Sequence, residues 1–592
     1  MKAYGPLEIE LENAQGKRKT VTIEMSMDDE VSWIDGIQGA QLRLRSSWEW
    51  VGEKLAPFGV SAPHLIEIED GFGFVQALPE DDALALVIRK REGRVFIATA
   101  LGEVEVAAKA AVSRAKTTPD TDSTYFWKRY WRDVPQVQLP DAELQHFWNI
   151  ALRKQAGITP PNGVAAALQG PWMEEYKLPS WSNDYHFNIN IEMIYWPALA
   201  TNRLEHFEPL WAMIRAWMPT LKENGEKFFG REGALMLPHS VDDKCQVVGT
   251  FWTGTIDHAC TAWMAQMAYL HYRYGLDGNL LREVAWPLLN GAFEGYYAMH
   301  EEIEGRFSLP ISVSPEYRGS RMDAWGRDAS FQLAAWHKIA QILPAAAQVL
   351  AMPIDPRWQE VEEKLPPYTL VNGRIGLWEG LELEGSHRHH SHLAGIWPFE
   401  TFDPLDEAHR KIVFSSLEFW NRQGAGQWTG WCLPWASILC ARLELPDAAL
   451  AWLGWMLDNF TNLGYGTLHN ADFAGTATFH DGSLATGIKP ENAEVMQMDA
   501  TMGFISAITE LLVQNRRDGI HILPKLPRRW RELSFDGIRC EGAFLVGATV
   551  ENGEVKEVRV RSEKGGKLRL WPGFGDVVER EMEVGEEVVL RS

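Results

Sequence analysis

Cysteine is scarce and unpatterned. The chain holds five, Cys245, Cys260, Cys432, Cys440 and Cys540. The odd number and the lack of C-x-x-C spacing argue against a disulfide framework and a cysteine-based zinc site. No apolar run reaches the roughly 18 residues of a membrane span. The opening Met1-Lys2-Ala3-Tyr4-Gly5-Pro6 has no apolar core of a secretory signal. The expected address is therefore cytoplasmic, or secreted if a leader has been removed. Positive charge is short: 57 Lys and Arg face 80 Asp and Glu, for a net charge of -23. That argues against nucleic acid or an anionic membrane surface as partner and leaves neutral ligands. A phosphate-binding G-x-x-x-x-G-K-[ST] loop, a G-x-S-x-G nucleophile elbow and an H-E-x-x-H zinc motif are all missing.

What remains is a chain of 592 residues, 46% hydrophobic, with 27 tryptophans. It is long enough for a large core and more than one domain. Trp fills helical cores, and its ring also stacks on sugar faces. Residues 1–118 carry short alternating runs such as Ala83-Leu84-Ala85-Leu86-Val87-Ile88 and read as a small β domain. Residues 119–150 read as a linker and linker helix. From 151 to 516 apolar residues recur at helical spacing, as in Leu204, Phe207, Leu210, Trp211 and Ile214. Many helices paired by long Gly-, Pro-, His- and Trp-rich loops predict an α/α toroid with its active site at one end. Residues 517–592 return to strand patterning and predict a C-terminal β domain. The fold class is therefore mainly α, flanked by small β domains.

Five segments carry candidate chemistry. Trp181-Ser182-Asn183-Asp184-Tyr185-His186-Phe187-Asn188-Ile189-Asn190 alternates polar and apolar residues. In an extended strand that places His186, Asn188 and Asn190 on one side. Such a row suits sugar hydroxyls, and it equally suits a strand whose amides satisfy backbone. Ser312-Val313-Ser314-Pro315-Glu316 presents a loop carboxylate, which is either a general acid or an ordinary surface Glu. His387-Arg388-His389-His390-Ser391-His392 fits a metal cluster, a structural polar corner, or a clamp on sugar hydroxyls by Arg388 and a His. Gln427-Trp428-Thr429-Gly430-Trp431 precedes a helix. Asp499 stands before an apolar helix, where N-capping is the plain role.

In order, these pieces resemble glycoside hydrolase family 95, the inverting α-L-fucosidases and α-L-galactosidases. The resemblance rests on Leu168-Gln169-Gly170-Pro171-Trp172, Asp184 to Asn190 with Tyr195-Trp196-Pro197, Ser314-Pro315-Glu316, His387 to Leu393, Thr429-Gly430-Trp431, Asp499-Ala500 and His521 to Pro527. It implies an (α/α)6 barrel between β domains and an exo-acting enzyme on oligosaccharides or glycoconjugates. It implies Glu316 as general acid, and Asn188 and Asn190 as holders of the attacking water, polarised by Asp499. His186, Arg388 and His389 match sugar-contacting positions, with Trp181 and Trp431 beside them. No metal and no cofactor are expected. The residues after Glu316 and after Asp499-Ala500, Tyr317-Arg318-Gly319 and Thr501-Met502-Gly503, depart from the family's usual neighbours. Another (α/α)6 glycosidase such as an α-L-rhamnosidase, a glycoside phosphorylase and a non-catalytic sugar-binding protein remain as rival readings. Oligomeric state is not readable.

Overall fold

A computed structural model describes residues 7–12, 16–26, 30–117, 123–173, 178–249, 251–471 and 495–592. Part of the expected polar linker, 118–122, lies outside them. The chain divides into two compact units, Met1–Asp133 with Glu174–Pro179, and Val134–Met173 with Ser180–Ser592.

The first unit is built on a seven-stranded antiparallel sheet. Its order is Leu7–Glu12, Arg18–Met25, Val31–Asp35, Arg94–Gly102, Ala83–Arg91, Gly71–Gln76 and His64–Ile68. The unit is not purely β, as its alternating runs suggest. Helices form at Trp48–Leu55, Val104–Arg114 and Ser123–Asp133. The Val104–Arg114 helix packs on the sheet through Ala107 and Ala111, against a core containing Ala85, Ala98 and Ala100. These small side chains let helix and sheet approach closely, and they weaken the amphipathic signal that would have revealed the helix.

The second unit contains the (α/α)6 barrel and the C-terminal sheets. Helices Ala142–Ile158, Glu208–Phe229, Trp286–Met299, Pro356–Lys364, Glu407–Gln423 and Pro446–Asn459 keep one polar face. They alternate along the chain with Asn190–Tyr195, Ala259–Gly275, Ser330–Leu350, the turn at Ser391–Leu393, Cys432–Arg442 and Asp499–Leu512. This second set is the inner ring. Every residue of Cys432–Arg442 is buried, as is every residue of Asp499–Leu512 except Glu510. A helix surrounded on all sides needs no polar stripe, which is why these segments read as continuously apolar. Trp263, Trp397 and Trp435 are fully buried among them. Burying one such indole stabilises by about 4–6 kcal/mol.

Two expectations need correction. The segment 119–150 contains a strand, Gln136–Gln138, which pairs with Leu533–Cys540 at the edge of a five-stranded sheet. A short strand paired with residues some 400 positions away leaves no local signal. The last barrel helix stops at Leu512, and Val513–Arg516 is already a strand of the other C-terminal sheet, beside Gly519–Ile522. The five-stranded sheet runs Glu587–Arg591, Glu554–Ser562, Phe544–Glu551, Leu533–Cys540 and Gln136–Gln138. Among the described residues no helix is long and apolar enough to cross a membrane.

Candidate active site

The groups singled out in the sequence gather where inner helices begin or in the loops just before them. Asn190 opens Asn190–Tyr195, Asp499 opens Asp499–Leu512, Trp431 precedes Cys432, and Arg388 and His389 precede the Ser391 turn. A cleft of about 1070 Å³ opens there. Trp181, His186, Asn190, Glu316, Arg388, His389 and Trp431 all line it.

The segment 185–190 is not the extended strand that its alternation predicts. Only Tyr185–His186 is strand, paired with Ser240–Val241, and the chain then turns into helix at Asn190. Phe187 and Ile189 are fully buried and anchor the turn. The three polar residues consequently take different partners. Asn190 donates from Nδ2 to Asp499 Oδ2 at 2.6 Å. Asn188 does not line the cleft. It donates from Nδ2 to Glu316 Oε1 at 3.0 Å and lies 2.9 Å from His239 Nε2, while its Oδ1 is buried without a partner. His186 stands between Asp184, 3.2 Å from Nδ1, and Glu316 Oε1, 3.3 Å from Nε2.

Glu316 is held in a left-handed backbone conformation, φ 55°. For a residue with a Cβ this costs about 1–2 kcal/mol and must be imposed by neighbours. They are visible: His387 donates from Nε2 to the Pro315 carbonyl at 3.1 Å, and the hydroxyls of Ser314 and Ser391 lie 2.6 Å apart. The six-residue histidine run is thus divided by role. His387 and Ser391 brace the Glu316 loop, Arg388 and His389 face its carboxylate, and His390 turns inward to Trp420 and the Cys432 carbonyl. The metal cluster considered for this run does not form within it.

The two oxygens of Glu316 face different groups. Oε1 meets Asn188, His186 and His239, whereas Oε2 meets Arg388 in an ion pair and His389 Nε2 at 3.5 Å. Burial alone would raise this carboxyl, but Arg388, His389 and the hydrogen bond from His186 hold it well below the usual range. Burial opposes charge on His186, yet Asp184 and Glu316 outweigh it and push the imidazolium up to about 10. His389 is pushed down to about 4 chiefly by burial. Asp499, buried, with Oδ1 accepting from the Ala500 amide at 2.6 Å, is pushed up to about 7 by burial.

Sequence reasoning passed over several members of the site. His239 precedes a two-residue strand in a loop without motif, and only its pairing partner reveals it. Asp184, two residues before His186, orients its ring. Burial pushes Asp257 up to about 7 and Glu192 well above the usual carboxylate range. Phe251, Trp252, His469 and Gln497 also line the cleft. Of the two candidate tryptophans, Trp181 is 44% exposed at the cleft, 4.7 Å from the His469 ring, and Trp431 is buried against His389.

A model of the glycosyl hydrolase family 95 catalytic domain matches residues 157–512, and one of the glycoside hydrolase family 95 C-terminal domain matches 514–584. The chain belongs to glycoside hydrolase family 95. The family-95 catalytic match contains every residue of the cleft. Relatives include alpha-L-fucosidase 2 of Arabidopsis thaliana, 27% identical over 68% of this chain and 47% of that protein. Another is probable alpha-fucosidase A of Aspergillus niger, 25% identical over 66% of this chain and 49% of that protein. The chain spans about half the length of the curated relatives it matches. A putative kojibiose phosphorylase from human microbiome shares the fold, with a TM-score of 0.64 at 10% identity over 100% of this chain and 85% of that chain.

Proposed function

We propose that this family-95 chain is an exo-acting inverting glycosidase that releases a terminal α-L-fucose or the related α-L-galactose. The observation that carries the reading is the carboxylate of Asp499 directly behind the Asn190 amide, in a cleft that also presents Glu316. Both relatives described above carry fucosidase names.

In this reading Glu316 is the general acid. Its proton comes from His186, whose Nε2 lies 3.3 Å from Oε1. Sugar hydroxyls entering the cleft draw Arg388 and His389 toward themselves and loosen their hold on the carboxylate. The glycosidic oxygen then takes the proton as the C–O bond breaks. Water attacks from the opposite face. Its proton passes to Asn190 Oδ1 while the Nδ2 proton moves to Asp499 Oδ2, so an amide too weak to act as a base relays the charge to a carboxylate that burial makes proton-hungry. Asn188 fixes Glu316 from below, and Trp181 supplies an apolar ring at the cleft.

The test is a panel of aryl α-L-fucosides, α-L-galactosides, α-L-rhamnosides and D-glycosides, with and without phosphate, followed by proton NMR of the first product anomer. Release of β-L-fucose without phosphate dependence supports the reading. A retained anomer, a phosphate requirement or a rhamnoside preference overturns it. Measurable fucose binding with no turnover on any substrate would favour a sugar-binding protein.

A further inference from the structure

Around the proposed acid itself, the cleft contains a cluster that the reaction does not require as a unit. The ligand-capable atoms of His186, His239 and Glu316 lie within 4.8 Å of one another. His186 Nε2 and His239 Nε2 are 2.8 Å apart, and Glu316 Oε1 lies 3.3 Å and 3.6 Å from them. A tetrahedral zinc bound at about 2.0–2.1 Å needs its ligand atoms about 3.3 Å apart. Two of the three separations are already within a few tenths of an ångström of that value, and the histidine pair must open by about half an ångström.

Five further features suit a cation. Asp184 sits 3.2 Å from Nδ1 of His186 and is itself held by the Ser240 hydroxyl, the carboxylate–histidine backing that aims the other ring nitrogen at a metal. His239 Nε2 also lies 2.9 Å from the Asn188 amide nitrogen, so it serves as an acceptor and its own proton sits on Nδ1, which is buried without a partner. That tautomer leaves Nε2, 2.8 Å from His186 Nε2, deprotonated as a metal ligand must be. The spacing is fixed by backbone, because His186 pairs with Ser240, the residue after His239, and Phe187 donates its amide to the His239 carbonyl at 2.8 Å. Arg388 holds the other oxygen of Glu316, so Oε1 can turn to a metal without breaking that ion pair, while its contacts with Asn188 and His186 give way and the His186 Nε2 proton leaves as the metal enters. All three residues line the cleft, which leaves a fourth position for water.

We propose that His186, His239 and Glu316 form a site for a divalent transition cation, zinc by donor type, whose occupation silences the acid. Two imidazoles and one carboxylate suit zinc; magnesium and calcium demand oxygen ligands. The binding stands on the geometry alone, whereas the silencing rests on the glycosidase reading.

The experiment uses the full chain, stripped with EDTA and titrated with zinc chloride by calorimetry, with aryl fucoside turnover measured in parallel. About one zinc per chain is expected, with turnover cut at least tenfold and restored by EDTA. His239→Gln and His186→Gln should each weaken uptake at least tenfold. Asp499→Asn, which leaves the triad intact, should not. Cobalt in place of zinc should give a visible absorption band that His239→Gln removes. No uptake, uptake unchanged in both histidine variants, equal uptake of magnesium, or full turnover with zinc bound overturns the proposal. If the stripped chain turns over no substrate, the glycosidase reading fails while the uptake comparison still decides the metal site.

Discussion

Replacing Asp499 by Asn separates what this carboxylate costs from what it does. It is buried, and burial holds it at about 7 against an ordinary 3.8. At 1.36 kcal/mol for each tenfold step, keeping it ionised above pH 7 costs the fold about 4 kcal/mol. The sign follows from proton counting. Between pH 3.8 and 7 the folded chain binds the proton more tightly than the unfolded one, so stability from this group falls as pH rises through that window. Asn carries no charge and escapes the loss. It also has one oxygen where Asp499 offers two, one to the Ala500 amide and one to Asn190. One donor therefore loses its partner, at about 1–3 kcal/mol. The net expectation for Asp499→Asn is a gain of about 1–3 kcal/mol at pH 8 and a small loss at pH 4, read by chemical denaturation at both pH values. Turnover should fall by about 10²–10⁴-fold, the usual worth of a positioned base. In the parent, kcat/KM should rise as pH passes 7, and this acidic limb should vanish in the variant. Retention of more than a tenth of the turnover, or a loss of stability at pH 8, would refute the reasoning.

Glu316→Gln should lower kcat by about 10²–10⁴-fold on alkyl fucosides and far less on nitrophenyl fucosides, whose leaving group needs little protonation; equal losses on both would remove Glu316 from the acid role. His186→Gln should move the alkaline limb of kcat/KM from about 10 toward neutrality, because the proton store beside Glu316 is gone; a pH profile that does not move would refute the supply route. Trp181→Ala should raise KM about 2–10-fold with kcat nearly unchanged, as expected for one stacked ring; the check is steady-state kinetics with fucosides. Trp435→Ala, at a fully buried inner-ring position, should cost about 3–5 kcal/mol by denaturant titration.

The barrel was legible because its outer helices keep a helical period, and the order of the motifs identified the family. The N-terminal helices were not. Val104–Arg114 buries alanines, which mark a helix face poorly, and Gln136–Gln138 is a strand only because Leu533–Cys540 lies beside it. At the site, residue identity was more readable than geometry. Asn190 and Asp499 meet as the motif order suggests. Asn188 and Asn190 look equivalent two positions apart, but the turn at 187–189 sends one under Glu316 and the other to Asp499. His239 has no local pattern, since its role exists only through a two-residue strand pairing.

The hydrogen bond from Asn190 to Asp499 also carries a kinetic meaning. It joins residues 309 positions apart and ties the first inner helix to the last. Contacts of such sequence separation form late, since the intervening chain must first be ordered. Refolding should therefore recover helical signal well before it recovers turnover, and a ribosome must release nearly the whole barrel before Asn190 can meet Asp499.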